Sequence, residues 1–458
     1  MYAMTGLWFG SALLPQGWAQ RVRVSGSGGL ITYVAAGVEP QPGDERHGIG
    51  LPGLPNVHSH AFQRGLAGLT ERRGSGPDSF WSWRELMYRF VERITPEQFE
   101  ALAMLAYAEM LEAGFTQVGE FHYLHHDRDG APFSDPAELA ARLAAAASHA
   151  GIGLTLLPTF YAHGGFGGTA PGPRQRRFIN DPERFARLVA ACRTAVRGLP
   201  GSAVGVAPHS LRAVTPAELS AVVQLAADGP VHIHIAEQTR EVEECLAWCG
   251  RRPVEWLLEN QPVDARWCLV HATHASELEL AQISARGAVV GLCPVTEASL
   301  GDGIFPAAGF LGQRGRVGIG SDSNVLIDAA EELRMLEYSQ RLALRARNVL
   351  ALAPGVSTGR TLYDAVLAGG HRVLHPAGSA APGLVPGASL DMVTLAGRHP
   401  ALLERSGDEL IDSWVFAAGR AAIDCVWRAG AKVVDGGRHR DRDAIVARYG
   451  QALQQLLA

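Results

Sequence analysis

The sequence predicts an α/β protein: a (β/α)8 barrel of the TIM type beside a small β-sandwich domain formed by both chain ends. Three observations carry this expectation. Short apolar runs alternate eight times with amphipathic helical patterns through the middle of the chain. Both ends share another style, short strands punctuated by glycine and proline. Ionisable residues stand at or just beyond six of the eight apolar runs, where a barrel of this kind gathers its functional groups.

The apolar runs are 54–57, 116–121, 153–160, 203–207, 231–235, 267–270, 288–293 and 316–319. Near-continuous apolar strands alternating with helices indicate a parallel sheet covered on its faces. Helical patterns occupy 96–113, 136–150, 182–196, 216–227, 240–249 and 275–286. Thr95-Pro96, Asp135-Pro136, Asp181-Pro182 and Thr215-Pro216 each set a capping side chain before a proline at the first helical position. A doubly wound open sheet is the structural alternative. It would not naturally bring groups from the first, fifth, sixth and eighth strands to one point.

Before the barrel, 7–14, 18–24 and 30–38 read as strands. After it, 389–395, 412–417 and 425–434 read as sheet and 442–457 as a closing helix. Residues 1–50 and 376–458 are therefore expected to form one small β domain, with 51–375 as the barrel. The glycine-rich stretch 164–172 is a candidate lid or oligomer contact.

At 458 residues the chain is too long for a typical single core. Its 47% hydrophobic and 19% charged residues suit a folded protein rather than a disordered one. A net charge of −5 offers no footprint for nucleic acid or for anionic membranes. No apolar run approaches the roughly 20 residues needed to span a bilayer. The segment 7–14 has the look of a short signal region, but no basic stretch precedes it and Pro15 and Gly17 follow, so a strand and turn is expected. The six cysteines are scattered apart from Cys245 and Cys249, which predicts reduced thiols and a cytoplasmic location. A homodimer is the expected assembly.

The chemistry begins at Pro55-Asn56-Val57-His58-Ser59-His60. Strand side chains alternate faces, so His58 and His60 point the same way and can share one metal ion. They are answered by His234, His271 and Asp322, each at or near a later strand end. Other strand ends carry Glu120, His122 and Tyr123, then His209, and Glu237 follows the fifth strand.

His58, His60, His234 and Asp322 offer three neutral nitrogens and one carboxylate, leaving a position for water. A bound ion brings that water's pKa to near 7. Asp322 can touch the metal and accept the water's proton. His271 can orient the hydroxide, and Glu237 can carry protons to a substrate nitrogen and then to the leaving amine. His232 competes with His234 but lies one layer deeper in the barrel. The fourth strand ends in Pro208-His209-Ser210, without the lysine or carboxylate that bridges a metal pair, so a single metal is expected.

At these residues the chain resembles the amidohydrolase superfamily in its mononuclear deaminase branch: His58-x-His60, His234-x-x-Glu237, His271 and Gly320-Ser321-Asp322 match in order. The stretches from Asn56 to Arg64, Gly119 to His126 and Pro208 to Arg212 resemble the formimidoylglutamate deiminases of histidine degradation. The resemblance spans nearly the whole chain. It implies hydrolysis of N-formimino-L-glutamate to N-formyl-L-glutamate and ammonia. It also implies one zinc ion on His58, His60, His234 and Asp322, with substrate contacts at Gln63, Arg84, Tyr123, His209 and Arg212.

The residues agree with such a substrate. Two carboxylates call for arginine forks, and Arg84 and Arg212 offer them. Arg84 is expected in an aromatic-rich loop after the first strand. His125 and His126 are expected in a solvated loop or a dimer contact. The main alternative is a deaminase of a ring amine such as guanine or a triazine, which would not need both arginines. A non-catalytic barrel is the other, and it would lack some of the ligands.

Overall fold

The computed structural model describes residues 6–74, 76, 78–376 and 379–458. Residues 1–5 of the expected amino-terminal segment and 377–378 of the carboxy-terminal one lie outside the described residues.

Strands Leu7–Leu14, Gly17–Ser27, Leu30–Ala35 and Glu45–Pro52 pair with Met392–Leu395, Ile423–Arg428, Ala431–Asp435 and Arg438–His439 in one eight-stranded sheet. The seam is antiparallel, Thr394 opposite Gly50. The sheet curls. Its edge strand returns to the segment before Met392, where the Ile31 amide donates to the Ala388 carbonyl at 2.9 Å. Inside the curl lies a separate apolar cluster that includes Phe9, Val24, Leu390 and Trp427.

The barrel strands are Leu54–Ser59, Phe115–His122, Gly153–Phe160, a split fourth strand (Ala203–Val204 and Ala207–Pro208), Val231–Ile235, Trp267–His271, Val289–Leu292 and Arg316–Ile319. Neighbouring strands pair in parallel. The circle closes where the His232 amide donates to the Val206 carbonyl at 3.1 Å. That closure excludes the open doubly wound sheet. Almost every strand residue is buried, as a sheet covered by helices requires. Among the described residues no helix is long and apolar enough to cross a membrane, and all six cysteines are free thiols.

Thr95, Asp181 and Thr215 cap their helices as expected, each accepting an amide three residues on. Asp135 does not. Its carboxylate accepts the Ala137 amide at 2.8 Å in a turn, and the helix starts at Glu138. The segment 412–417, read as sheet, is helical: Glu409–Ser413 continues as a π-turn through Trp414–Ala418. A short apolar run does not distinguish strand from buried helix, and here Asp412 accepts the Gly359 amide while Trp414 sinks into the core. Arg84 lies on the helix Phe80–Val91, not in a loop. Ser79 and Ser82 close a capping box at its start.

Candidate active site

The site forms where the first and eighth strand ends are laced together. The His60 amide donates to the Asp322 carbonyl at 2.9 Å, and the Asp322 amide to the His58 carbonyl at 3.0 Å. Gly320 is required by this closeness: a Cβ there would stand 2.7 Å from the His58 carbonyl oxygen. Behind the lacing runs a buried amide network. Asn324 Nδ2 donates to the His60 and Asp322 carbonyls, both at 3.0 Å, and Asn56 Nδ2 donates to Ser321 Oγ at 2.7 Å.

Three imidazoles and one carboxylate converge. His58 Nε2 lies 3.2 Å from His60 Nε2 and 3.0 Å from His234 Nε2. Asp322 Oδ1 is 3.4 Å from His58 Nε2 and 3.3 Å from His60 Nε2. His60 Nδ1 donates to the Phe121 carbonyl at 2.9 Å and His234 Nδ1 to the His209 carbonyl at 3.1 Å. Those bonds turn the Nε2 lone pairs of both rings into the cluster. Burial keeps the rings neutral, holding His60 down to about 3 and His234 well below its ordinary range.

Bare nitrogen lone pairs at such distances repel unless a cation stands between them. A tetrahedral ion with arms of 2.0–2.1 Å has edges of about 3.3 Å, which matches the spacing. The donor set therefore fits a metal ion. His232, the competing ligand, bonds the Val373 carbonyl at 2.9 Å and lies outside the cluster.

Beside the cluster stand His271 and Glu237. His271 Nε2 lies 3.9 Å from both Glu237 Oε1 and Asp322 Oδ2. Burial opposes charge on His271, but Glu237, the bond to Glu297 and Asp322 outweigh it and lift the ring to about 10. Burial raises the Glu237 carboxyl to about 7, with His271 and Arg212 pulling the other way. The backbone is left-handed at Ala236 (φ 50°), His271 (φ 67°) and Asp322 (φ 42°). Non-glycine residues hold such angles at a cost of about 1–3 kcal/mol where surrounding contacts fix them.

A cleft of ≈ 570 Å³, its open mouth included, covers these groups. Gln63, Arg84, Tyr123, His209 and Arg212 all line it. Gln63 Nε2 donates to the Tyr123 hydroxyl at 2.9 Å. Arg84 and Arg212 flank the Trp81 indole, 4.6 and 5.7 Å from its centroid, and Arg240 stacks on it at 4.6 Å. The Nε atoms of Arg84 and Arg212 are buried without an acceptor among the described residues.

Other residues singled out in the sequence stand outside the cleft lining. His125 and His126 are buried, not solvated, and bond the Thr159 and Ile179 carbonyls at 2.9 and 2.8 Å. Their rings tie the segment after the second strand to the third strand and to the 175–180 segment. Glu120 faces away from the cleft and accepts the Ala61 amide at 2.8 Å, while burial lifts its carboxyl to about 8. His122 packs against Phe99 and His125. In the stretch 164–172, Phe166 stacks on Trp248 with centroids 5.6 Å apart. Sequence reasoning missed Glu297, Tyr161, Tyr88 and Glu241. Of these, Glu241 carried a signal, four residues after Glu237 and able to cap the turn.

Comparison with known proteins agrees with this geometry. The amidohydrolase family matches residues 49–365, and the N-terminal domain of formimidoylglutamate deiminase HutF matches residues 4–48. The chain is 50% identical to a formimidoylglutamate deiminase of Pseudomonas aeruginosa over 99% of its own length and 100% of the relative's. It is 30% identical to an 8-oxoguanine deaminase of the same species, with 94% of each chain covered. The crystal structure of an amidohydrolase from Brucella melitensis superposes with a TM-score of 0.95 at 56% identity, covering 99% of this chain and 100% of that one. A hydrolase acting on carbon–nitrogen bonds, the chain belongs to the amidohydrolase family and, within it, to the formimidoylglutamate deiminases.

Proposed function

We propose that the protein hydrolyses N-formimino-L-glutamate to N-formyl-L-glutamate and ammonia, in histidine degradation, with one zinc ion per chain. The observation that carries this reading is the pair of arginines, Arg84 and Arg212, that reach the cleft beside the His58, His60, His234 and Asp322 cluster with buried nitrogens still unbonded. A buried guanidinium lacking an acceptor is costly unless a ligand supplies one. A substrate with two carboxylates supplies both. A neutral ring amine brings acceptors but no negative charge to set against the two cations.

His58, His60, His234 and Asp322 would hold the zinc, which when bound would make water available as hydroxide near neutral pH. Arg84 and Arg212 anchor the carboxylates, and Gln63, Tyr123 and His209 orient the chain between them and the formamidine carbon. Water oxygen bonds to that carbon. Asp322 and Glu237 take up its two protons, one as the bond forms and one as the carbonyl closes. Glu237 hands a proton to the departing nitrogen, because expelling an amide anion is prohibitively uphill. The carbon–nitrogen bond breaks, ammonia leaves, and the formyl group keeps the oxygen. His271 stabilises the attacking oxygen.

The test is ammonia release from N-formimino-L-glutamate by zinc-loaded protein, with N-formimino-L-aspartate and guanine in parallel. Rapid release from the glutamate compound supports the reading. Turnover of guanine alone would keep the hydrolytic chemistry and discard the substrate.

A further inference from the structure

The seventh barrel strand contributes nothing to the site expected from sequence. Beyond it, the short helix Pro294–Leu300 carries Glu297, buried at 5% exposure. Its Oε1 accepts the Cys293 amide at 2.9 Å and faces His271 Nδ1 at 3.1 Å. We propose that Glu297 is the positioning residue for His271, accepting its Nδ1 hydrogen and so holding Nε2 toward Glu237 and Asp322. The inference rests on the proposed reaction only in giving His271 a part in turnover.

An oxygen that already takes an amide hydrogen is an acceptor toward the ring, so the shared hydrogen sits on Nδ1. The ring thus spans from one buried carboxylate behind it to two in front, at 3.9 Å each. Without the Glu297 bond the ring would be free to flip about Cβ–Cγ, exchanging Nε2 for Cε1 at the reacting side. The backbone adds its own demand. His271 and Ala272 are both left-handed, φ 67° and 48°, and bend the chain away from the strand. Such a bend persists where contacts over-determine it, and Glu297 supplies the side-chain contact. The same segment reaches the Glu237 turn as well: Gln238 Nε2 donates to Asp302, whose amide donates to the Glu297 carbonyl at 2.9 Å. One loop thereby sets both His271 and the turn that carries Glu237.

Glu297→Ala and Glu297→Gln test this in the zinc-loaded protein. Gln retains an acceptor of the same reach, so it should rescue part of what Ala loses. The expected result is a kcat lower by about 10- to 100-fold for Ala, a KM nearly unchanged, and metal content unchanged in both variants. Histidine labelled with nitrogen-15 gives a second readout. The wild type should show a hydrogen-bonded Nδ1–H resonance, assigned by its absence from His271→Asn, and Ala should lose it while Gln keeps it. Wild-type kcat in both variants, or an unchanged resonance in Ala, overturns the proposal. So does a loss in Gln that merely tracks lost metal or lost folded protein. If the resonance behaves as expected but the wild type releases no ammonia from N-formimino-L-glutamate, the Glu297–His271 assignment stands and the substrate reading falls.

Discussion

The guanidinium of Arg212 stops 4.0 Å from the Glu241 carboxylate, although both side chains are buried. Glu241 is otherwise engaged, accepting the Ala236 amide at 3.1 Å and the Glu237 amide at 3.3 Å. It gives Arg212 a nearby negative charge but no hydrogen bond. The cation is held in place with donor capacity left for a ligand. Arg212→Ala should therefore lower kcat/KM by about 10- to 100-fold, the worth of a hydrogen bond to a charged group. Metal content should not change. Arg212→Lys should recover little, since a point charge does not match a carboxylate's two oxygens. Steady-state kinetics with elemental analysis checks both, and an unchanged kcat/KM removes Arg212 from substrate binding.

Glu237 gives the second prediction. Glu237→Gln keeps the shape and removes the proton carrier, so kcat should fall by about 100- to 10,000-fold while the metal stays bound. Near-normal turnover would end its proposed role.

The pH dependence follows from the same group. Burial raises the Glu237 carboxyl to about 7, so it is protonated below that pH and ionised above it. A formamidine is already cationic near neutrality, and Glu237 must then start as the carboxylate to take the water's proton. kcat/KM should fall as pH drops through about 7, and Glu237→Gln should lack that limb in its residual activity. A wild-type profile flat through this range contradicts the assignment.

Removing the metal tests the cluster. Chelation should abolish turnover and lower the melting temperature, because ions that bind only the folded state stabilise it. Zinc should restore both, at about one ion per chain. Two tightly held ions per chain would contradict the single-metal reading.

Asn324 tests the lacing behind the ligands. It donates to Ser59, His60 and Asp322, with its own φ at 56°. Asn324→Ala should weaken metal affinity by about 10- to 100-fold, measured by competition with a chromophoric chelator. Wild-type affinity would show that the strand ends keep their geometry without it.

Much of this was legible in the sequence because barrel chemistry is a matter of strand ends. His58, His60, His234, His271 and Asp322 could be read from where apolar runs stop, and alternation put His58 and His60 on one face. The cleft residues Gln63, Arg84, Tyr123, His209 and Arg212 were implied by the family resemblance rather than by spacing alone. Glu297 was not legible, because it lies in a helix beyond the seventh strand and meets His271 only through the fold. The left-handed turns at Ala236, His271 and Asp322 carry no glycine to announce them. The helix around Arg84 was hidden by its aromatic content, although Arg84 and Tyr88 stand one turn apart and pack as a cation and a ring. His125 and His126 looked solvated because nothing in a sequence shows which carbonyls a loop buries.

The most direct test of the central claim is the fate of the oxygen and the nitrogen. N-formimino-L-glutamate is incubated with zinc-loaded protein in oxygen-18 water, and the products are weighed by mass spectrometry with ammonia counted alongside. The expected products are N-formyl-L-glutamate carrying one heavy oxygen in its formyl group and one ammonia for each molecule formed. L-glutamate and formamide in their place, or no product at all, would contradict the claim.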